Sequence, residues 1–104
     1  MVRGTTPTYT FRLPQDIDLG IAETVYVTFS NKQYQTLLTK RDDDLDINNN
    51  TVSVFLSQEE TLSIPKGETL VQINWIYNDG GKRKRACSKI IPVPVDRNLI
   101  NEVI

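Results

Sequence analysis

The stretch Glu68–Asn78, which reads ETLVQINWIYN, decides the fold of this chain. Its apolar side chains Val71, Ile73, Trp75 and Tyr77 fall on one face of an extended backbone, and two amide side chains fall on the other. A period of two is typical of a β-strand that is buried on one side. The stretch holds the only tryptophan of the chain, and no proline interrupts it, so it predicts a central strand of a sheet.

Shorter stretches with the same alternation predict the remaining strands. They are Thr8–Leu13, Glu23–Asn31, Gln33–Thr39, Thr51–Leu56 and a strand that begins at Lys82. Pro7 and Pro14 bound the first of these, and because proline lacks an amide donor this strand is expected at a sheet edge. Asn31-Lys32 predicts a tight turn, and Asp79-Gly80-Gly81 predicts a hairpin.

The last strand cannot keep one phase along its length. If Ala86 and Ser88 face the core, Val93 and Val95 point away from it, because the two pairs are an odd number of residues apart. One extra residue near Ile90-Ile91, a β-bulge, would bring both pairs onto the core side.

These patterns predict an all-β fold, an antiparallel β-sandwich with immunoglobulin-like topology, with an open barrel as the alternative. Ser57 and Glu60 have the spacing of a capping box, which predicts a short 3-10 or helical turn near 57–62. Residues 1–6 are expected to be a flexible lead-in and residues 7–96 the sandwich. Residues 97–104 are expected to be an apolar C-terminal segment, either a short helix capped by Asp96 or an arm.

Composition bounds the class of protein. A chain of 104 residues with 38% hydrophobic residues can bury one core without a metal or disulfide staple. The formal net charge of −1 predicts no bulk attraction to nucleic acid or to an anionic membrane. The single cysteine excludes an internal disulfide and fits a reducing compartment. We see no signal peptide and no apolar run of about 18 residues, so a soluble protein is expected.

The chain contains no histidine, which excludes Ser-His-Asp and Cys-His catalysis and every histidine-ligated metal site. We interpret Cys87 as a buried, inert thiol in a strand, although the cations beside it leave a reactive thiol open. No catalytic residue, cofactor or metal ion is therefore expected.

The acidic segment Asp42–Asn50 offers oxygen ligands at alternate positions, Asp44, Asp46, Asn48 and Asn50, as a calcium loop does. Its sixth position lacks the glycine of such a loop, and its twelfth lacks the bidentate glutamate. We interpret the segment as a solvated hairpin loop, with weak Ca²⁺ binding as the alternative.

Three groups of side chains are candidates for an interaction surface. The basic group follows the Gly-Gly turn and consists of Lys82, Arg83, Lys84 and Arg85. The acidic group consists of Asp42, Asp43 and Asp44. The apolar stripe of the C-terminal segment consists of Leu99, Ile100, Val103 and Ile104.

Each group has a plain interpretation and a functional one. On a strand, at most two of the four cations point to the same surface, so we interpret the basic group as a solvated hairpin tip. A protein contact and a nucleic-acid contact are the alternatives. If the acidic and basic groups lie at opposite ends of the sandwich, identical subunits can stack head to tail into rings. The apolar stripe belongs either to a helix docked on its own sheet or to an arm that completes a neighbour's core.

The run VRGTTPTYTFRLP at Val2–Pro14 resembles the opening of small phage and prophage proteins of Gram-positive bacteria. The resemblance continues through VYVTFSNKQ at Val25–Gln33, LSQEETLSI at Leu56–Ile64 and NEVI at Asn101–Ile104. It implies a virion-associated or morphogenesis protein of the tail or baseplate region, with a β-sandwich fold and no catalytic signature. The basic run and the PVP sequence of the last strand depart from that family's pattern.

The resemblance implies a non-enzymatic phage structural or assembly protein that acts through protein–protein contacts. Its partners would be other virion or assembly proteins, with a homo-oligomer as one form and without nucleic acid or membrane. It would lie in the host bacterial cytoplasm during assembly and then in the virion. The alternatives are a carbohydrate-binding module that uses exposed Tyr26, Tyr34 or Tyr77, and a nucleic-acid-binding module that uses the basic group.

Overall fold

The computed structural model describes residues 1–104 as two antiparallel sheets that pack face to face. The smaller sheet contains, in order, β1 (Thr8–Arg12), β5 (Thr51–Phe55) and β4 (Leu45–Asn48). The larger sheet contains, in order, β3 (Thr36–Arg41), β2 (Thr24–Ser30) and β6 (Gly67–Asp79), and β6 then pairs with both β7 (Lys82–Cys87) and β8 (Ile91–Val95). One short helix, α1 (Gln58–Leu62), and two 3-10 turns, Leu19–Ile21 and Asp42–Asp44, complete the regular structure.

The strand order is that of an immunoglobulin-like sandwich. In chain order, β1 to β6 correspond to strands B, C, C′, D, E and F, and β7 with β8 corresponds to strand G. One sheet then reads B-E-D and the other C′-C-F-G, which confirms the predicted fold. No strand takes the place of strand A beside β1, so β1 lies at an edge, as its flanking prolines predict.

Strand β6, which contains the stretch Glu68–Asn78, lies at the centre of the larger sheet. It pairs with β2 along one side and with β7 and β8 along the other. Val71, Ile73 and Trp75 face the smaller sheet and are buried, Trp75 being only 7% exposed. They pack in one core cluster with side chains from both sheets, which confirms the prediction of a central strand.

The extra residue in the last strand is present. Between the pairs Asn74–Cys87 and Val71–Ile91, β6 advances three residues while the opposite strand advances four. The irregular segment 88–90 takes up the difference and separates β7 from β8. Because the phase switches there, Val93 is buried although its spacing from β7 would place it outside.

Helix α1 is held by the predicted capping box. The Ser57 hydroxyl accepts from the Glu60 amide at 3.2 Å, and the Glu60 carboxylate accepts from the Ser57 amide at 2.9 Å. A helix of five residues has too few internal hydrogen bonds to persist alone. Buried Thr61 supplies tertiary contact, because its hydroxyl donates to the Thr5 carbonyl at 2.8 Å.

The first residues are tied to the sandwich, and the expectation of a flexible lead-in over residues 1–6 is wrong. Val2 forms a parallel bridge with Asp96. The Arg3 guanidinium donates to the carbonyl oxygens of Leu62 and Ile64 at 2.6 and 2.8 Å. These partners lie 59 and 61 residues away in the chain, so no local pattern could indicate them.

The connection between β2 and β3 is longer than the predicted two-residue turn. The Asn31 side-chain oxygen accepts from the amides of Gln33 and Gln35 at 3.0 and 2.9 Å, which organises a loop over residues 31–35. Tyr34 takes a left-handed backbone conformation in this loop, with φ of 63°. Strand β3 therefore begins at Thr36 rather than at Gln33.

Residues 97–104 form no helix, so the predicted short C-terminal helix is wrong, and an arm that completes a neighbour's core stays a prediction. The Asp96 amide and carbonyl are taken by the backbone of Met1 and Arg3, which continues the strand geometry past β8. The Asn98 side chain then accepts from the Ile100 amide in a turn. The apolar side chains of the segment, Leu99, Ile100, Val103 and Ile104, are all exposed.

Candidate functional site

The basic group is divided between two faces of β7, as alternation requires. Lys82 and Lys84 pair with Asp79 and Tyr77 of β6. They lie on the same side of the sheet as Trp75, the side that packs on the core in the middle of β6. Arg83 and Arg85 stand on the opposite side, because each is one residue out of phase with them. No four-cation surface is therefore formed.

Three of the four cations have partners within the chain. Arg83 contacts Glu23 at 3.1 Å, and Lys84 contacts Asp79 at 2.8 Å. The Arg85 guanidinium donates two hydrogen bonds, at 3.1 and 3.0 Å, to the side-chain oxygen of Asn74. The Lys84 ammonium lowers the pKa of the Asp79 carboxyl, and the carboxylate in turn raises the pKa of Lys84. The two ion pairs, Arg83–Glu23 and Lys84–Asp79, reduce the charge that the hairpin tip offers to another molecule.

Within the acidic group, Asp42 has a structural role. Its carboxylate accepts from the Thr24 hydroxyl at 2.7 and 2.9 Å and from the Val25 amide at 3.1 Å. These hydrogen bonds, with a smaller contribution from Arg41, lower the pKa of Asp42. Asp43 and Asp44 are exposed and form no ion pair.

The acidic and basic groups lie at the same end of the sandwich, so the premise of head-to-tail stacking by opposite charges is wrong. Strand β2 runs antiparallel to both of its neighbours, so its first residues lie beside the end of β3 and the end of β6. The acidic turn follows β3, and the basic strand follows β6. The two groups are separated across the sheet by three strand spacings, roughly 14 Å.

The segment proposed as a solvated loop or calcium loop is mostly regular structure. Residues Leu45–Asn48 form β4, which pairs with β5, so alternate side chains point to opposite faces of the sheet. No three histidine, cysteine, aspartate or glutamate side chains converge as a metal site would require.

The apolar stripe lies at the other end, on the arm formed by residues 97–104. Its four side chains are exposed, Leu99 by 95% and Ile104 by 81%. The Gln58 side-chain amide donates to the Ile104 carbonyl and accepts from the Ile104 amide, both at 2.8 Å. Phe55, also exposed, lines one groove with Val103. We call Phe55, Leu99, Ile100, Val103 and Ile104 the apolar patch.

Sequence reasoning missed Phe55 and Gln58. A signal for Phe55 was present: it is out of phase with Val52, Val54 and Leu56, the three buried positions around it, so alternation places its ring outside. No signal for Gln58 was present, because its partner is 46 residues away.

The side of the larger sheet that is turned away from the core, here called the outer face, holds a shallow trough. Two adjoining cavities of about 320 and 370 Å³ share Thr28 of β2, Asn74 of β6 and Arg85 of β7. Tyr26 and Tyr34 line the trough, whereas Tyr77 lines a separate cavity beside Trp75. The structure therefore brings together two of the three candidate tyrosines.

Cys87 is exposed, and its interpretation as a buried thiol is wrong. It stands opposite Asn74 on the outer side of an edge strand, which no other element covers. It also borders the largest cavity, about 610 Å³, which opens between the end of β1 and the β7–β8 junction. No carboxylate lines this cleft. Its lining residues are apolar, basic, or polar without a charge.

None of the helices has the length and apolar character that crossing a membrane requires. A scan against protein-family models, a search of curated proteins and a search of solved structures each found no match to this chain.

Proposed function

We propose that this chain is a non-enzymatic structural or assembly protein of a phage or prophage particle and that it acts through protein–protein contacts. The observation that carries the proposal is the apolar patch. Its arm is fixed against α1 through the Gln58 side chain, yet the arm's apolar side chains point into solvent.

The energetics favour a partner for this patch. Moving one exposed leucine or isoleucine side chain out of water contributes about 1.5–3 kcal/mol. Leu99 and Ile104 are almost wholly exposed, and Phe55 extends the patch onto the smaller sheet. Five of the nine large apolar side chains that are exposed belong to this patch, and such grouping is typical of a protein contact.

The resemblance to phage proteins supplies the context. Several of the segments that carry the resemblance are bonded to one another near the apolar patch. Arg3 and Gly4, in the first resembling segment, bond to Leu62 and Thr61 in the third. Gln58 of the third segment binds Ile104 of the last. Three of the four resembling segments thus meet at the arm end, as expected if that end serves a shared contact.

The test uses particles released from a lysogenic strain that carries the gene. Particles are banded on a density gradient, and peptides of the chain are counted by mass spectrometry relative to the major capsid protein. We expect a constant ratio across the band, together with chain in the cytoplasm before lysis. Chain that is found in the lysate but never in banded particles would contradict a virion-associated role.

A further inference from the structure

The trough on the outer face presents hydrogen-bonding groups that are held in place but not fully used. Asn74 accepts from two Arg85 nitrogens at 3.1 and 3.0 Å, which leaves the amide donors of Asn74 open to the trough. The Gln72 amide nitrogen donates to the Ser88 carbonyl at 2.9 Å, so its oxygen remains available. Thr28 of β2 also lines the trough, and its hydroxyl forms no hydrogen bond within the chain.

The rim of the trough carries an aromatic ring in an unusual setting. Tyr34 is 73% exposed and takes φ of 63°, a left-handed conformation that a bulky residue rarely adopts. The two amides that donate to the Asn31 side chain hold the loop around it. Strain of this kind is concentrated at binding sites, where the surrounding structure maintains it.

The opposite wall is formed by Tyr26, and its ring face is occupied. The Arg41 guanidinium lies 4.8 Å from the ring centroid, in a cation–π contact. Tyr26 is therefore a fixed wall, and Tyr34 is the ring free to stack on a ligand.

We propose that this trough binds an oligosaccharide. The ligand's hydroxyl groups would replace water on Asn74, Gln72 and Thr28, and one sugar ring would lie on the Tyr34 ring through its apolar C–H face. A sugar combines a ring of hydroxyls with an apolar face, which matches a trough of polar side chains bordered by the free ring of Tyr34. None of the residues that line the trough belongs to the apolar patch, so the two surfaces can be tested separately.

Two other classes of ligand fit the trough less well. A nucleic acid needs several phosphate contacts, and Arg85 is the only cation that lines either cavity. A protein interface concentrates apolar and aromatic side chains at its centre. The centre of this trough, shared by both cavities, consists of Thr28, Asn74 and Arg85.

The experiment starts from the purified chain on an array of neutral, acidic and N-acetylated oligosaccharides. Maltotriose, N-acetylglucosamine trimer, galacturonic acid trimer and the strongest array hit are then titrated into isotope-labelled chain. The side-chain amide resonances of Asn74 and Gln72 report on the trough directly. We expect a saturable shift of the Asn74 resonances with at least one of these sugars.

Matched variants locate the contact. Tyr34→Ala should weaken binding about tenfold, the effect of one lost aromatic contact, whereas Tyr34→Phe should retain it. Tyr77→Ala and Lys84→Gln, on a different face, should leave affinity unchanged. The proposal is overturned if no sugar binds, if Tyr34→Ala binds like the wild type, or if a single-stranded oligonucleotide shifts the same resonances instead. A chain that binds sugar but is absent from particles would refute the proposed function alone.

Discussion

Gln58 and Ile104 pair as two peptide groups do in a β-sheet, with one hydrogen bond in each direction at 2.8 Å. The pairing fixes the backbone of the arm while its apolar side chains remain in solvent. Because no core residue takes part, the position of the arm and the stability of the sandwich can be changed separately.

Gln58→Ala should release the arm without unfolding the domain. The variant removes both hydrogen bonds to Ile104, so the exchange of the Ile104 amide measured by NMR should accelerate at least about tenfold. The free energy of unfolding should change by less than about 1 kcal/mol, because the lost bonds are exposed. Gln15→Ala, at an exposed glutamine without a hydrogen bond, is the control. Unchanged exchange at Ile104 would mean that Gln58 does not hold the arm.

Trp75→Ala should be severely destabilising, by about 3–5 kcal/mol, since it opens a cavity in the centre of the larger sheet. Urea unfolding followed by circular dichroism measures the change. Ile21→Ala removes an apolar side chain that is 79% exposed, so it should alter the free energy of unfolding by no more than about 0.5 kcal/mol. Equal effects of the two substitutions would contradict the placement of Trp75 in the core.

Arg3→Ala should destabilise the domain by about 1–3 kcal/mol, because the carbonyl groups of Leu62 and Ile64 lose a charged donor. The matched control is Arg12→Ala, at an exposed arginine that makes no ion pair or side-chain hydrogen bond. Thermal unfolding of the two variants side by side gives the comparison. If both variants melt with the wild type, the Arg3 hydrogen bonds do not contribute to the stability of the domain.

Stability should fall on acidification through two carboxylates. Hydrogen bonds from Thr24 and Val25 lower the pKa of Asp42 below its ordinary value of 3.8. Burial raises the pKa of Glu60, but hydrogen bonds from Lys40 and Ser57 outweigh it and leave the pKa below 4.5. Since both values are lower in the folded state, this stabilisation is present above pH 4.5 and is lost as pH falls through the folded-state values.

Urea unfolding from neutral pH down to about pH 3 tests this dependence. The double variant Asp42→Asn, Glu60→Gln should show a flatter acid limb, and glutamine at position 60 keeps the capping box. Asp46→Asn, at an exposed aspartate without a side-chain hydrogen bond, should follow the wild type. An acid limb that is equally steep in the double variant would assign the dependence to other groups.

Local patterns predicted the parts of the fold that local physics determines. Alternation placed Val71, Ile73 and Trp75 in the core, the Ser57–Glu60 spacing predicted the cap of α1, and the phase conflict predicted the extra residue before β8. Each of these depends on residues within a few positions of one another.

Contacts between distant segments could not be predicted in this way. The hydrogen bonds of Arg3 to Leu62 and of Gln58 to Ile104 join segments that are more than forty residues apart. The common end of the acidic and basic groups follows from the pairing of β2 with both neighbours, which spacing along the chain does not reveal. The trough is of the same kind, because Thr28, Asn74 and Arg85 come from three strands.

The most direct test of a contact surface at the apolar patch is the number of copies per particle. For the proposed phage particle, a phage whose gene for this chain is deleted is complemented with the wild type, with the double variant Leu99→Asp, Val103→Asp, or with Ile21→Asp. Ile21 is 79% exposed and lies away from the arm. All three chains should fold with the same circular dichroism spectrum. We predict wild-type copy number for Ile21→Asp and loss of incorporation for the double variant, and wild-type incorporation of the double variant would contradict the role of the patch.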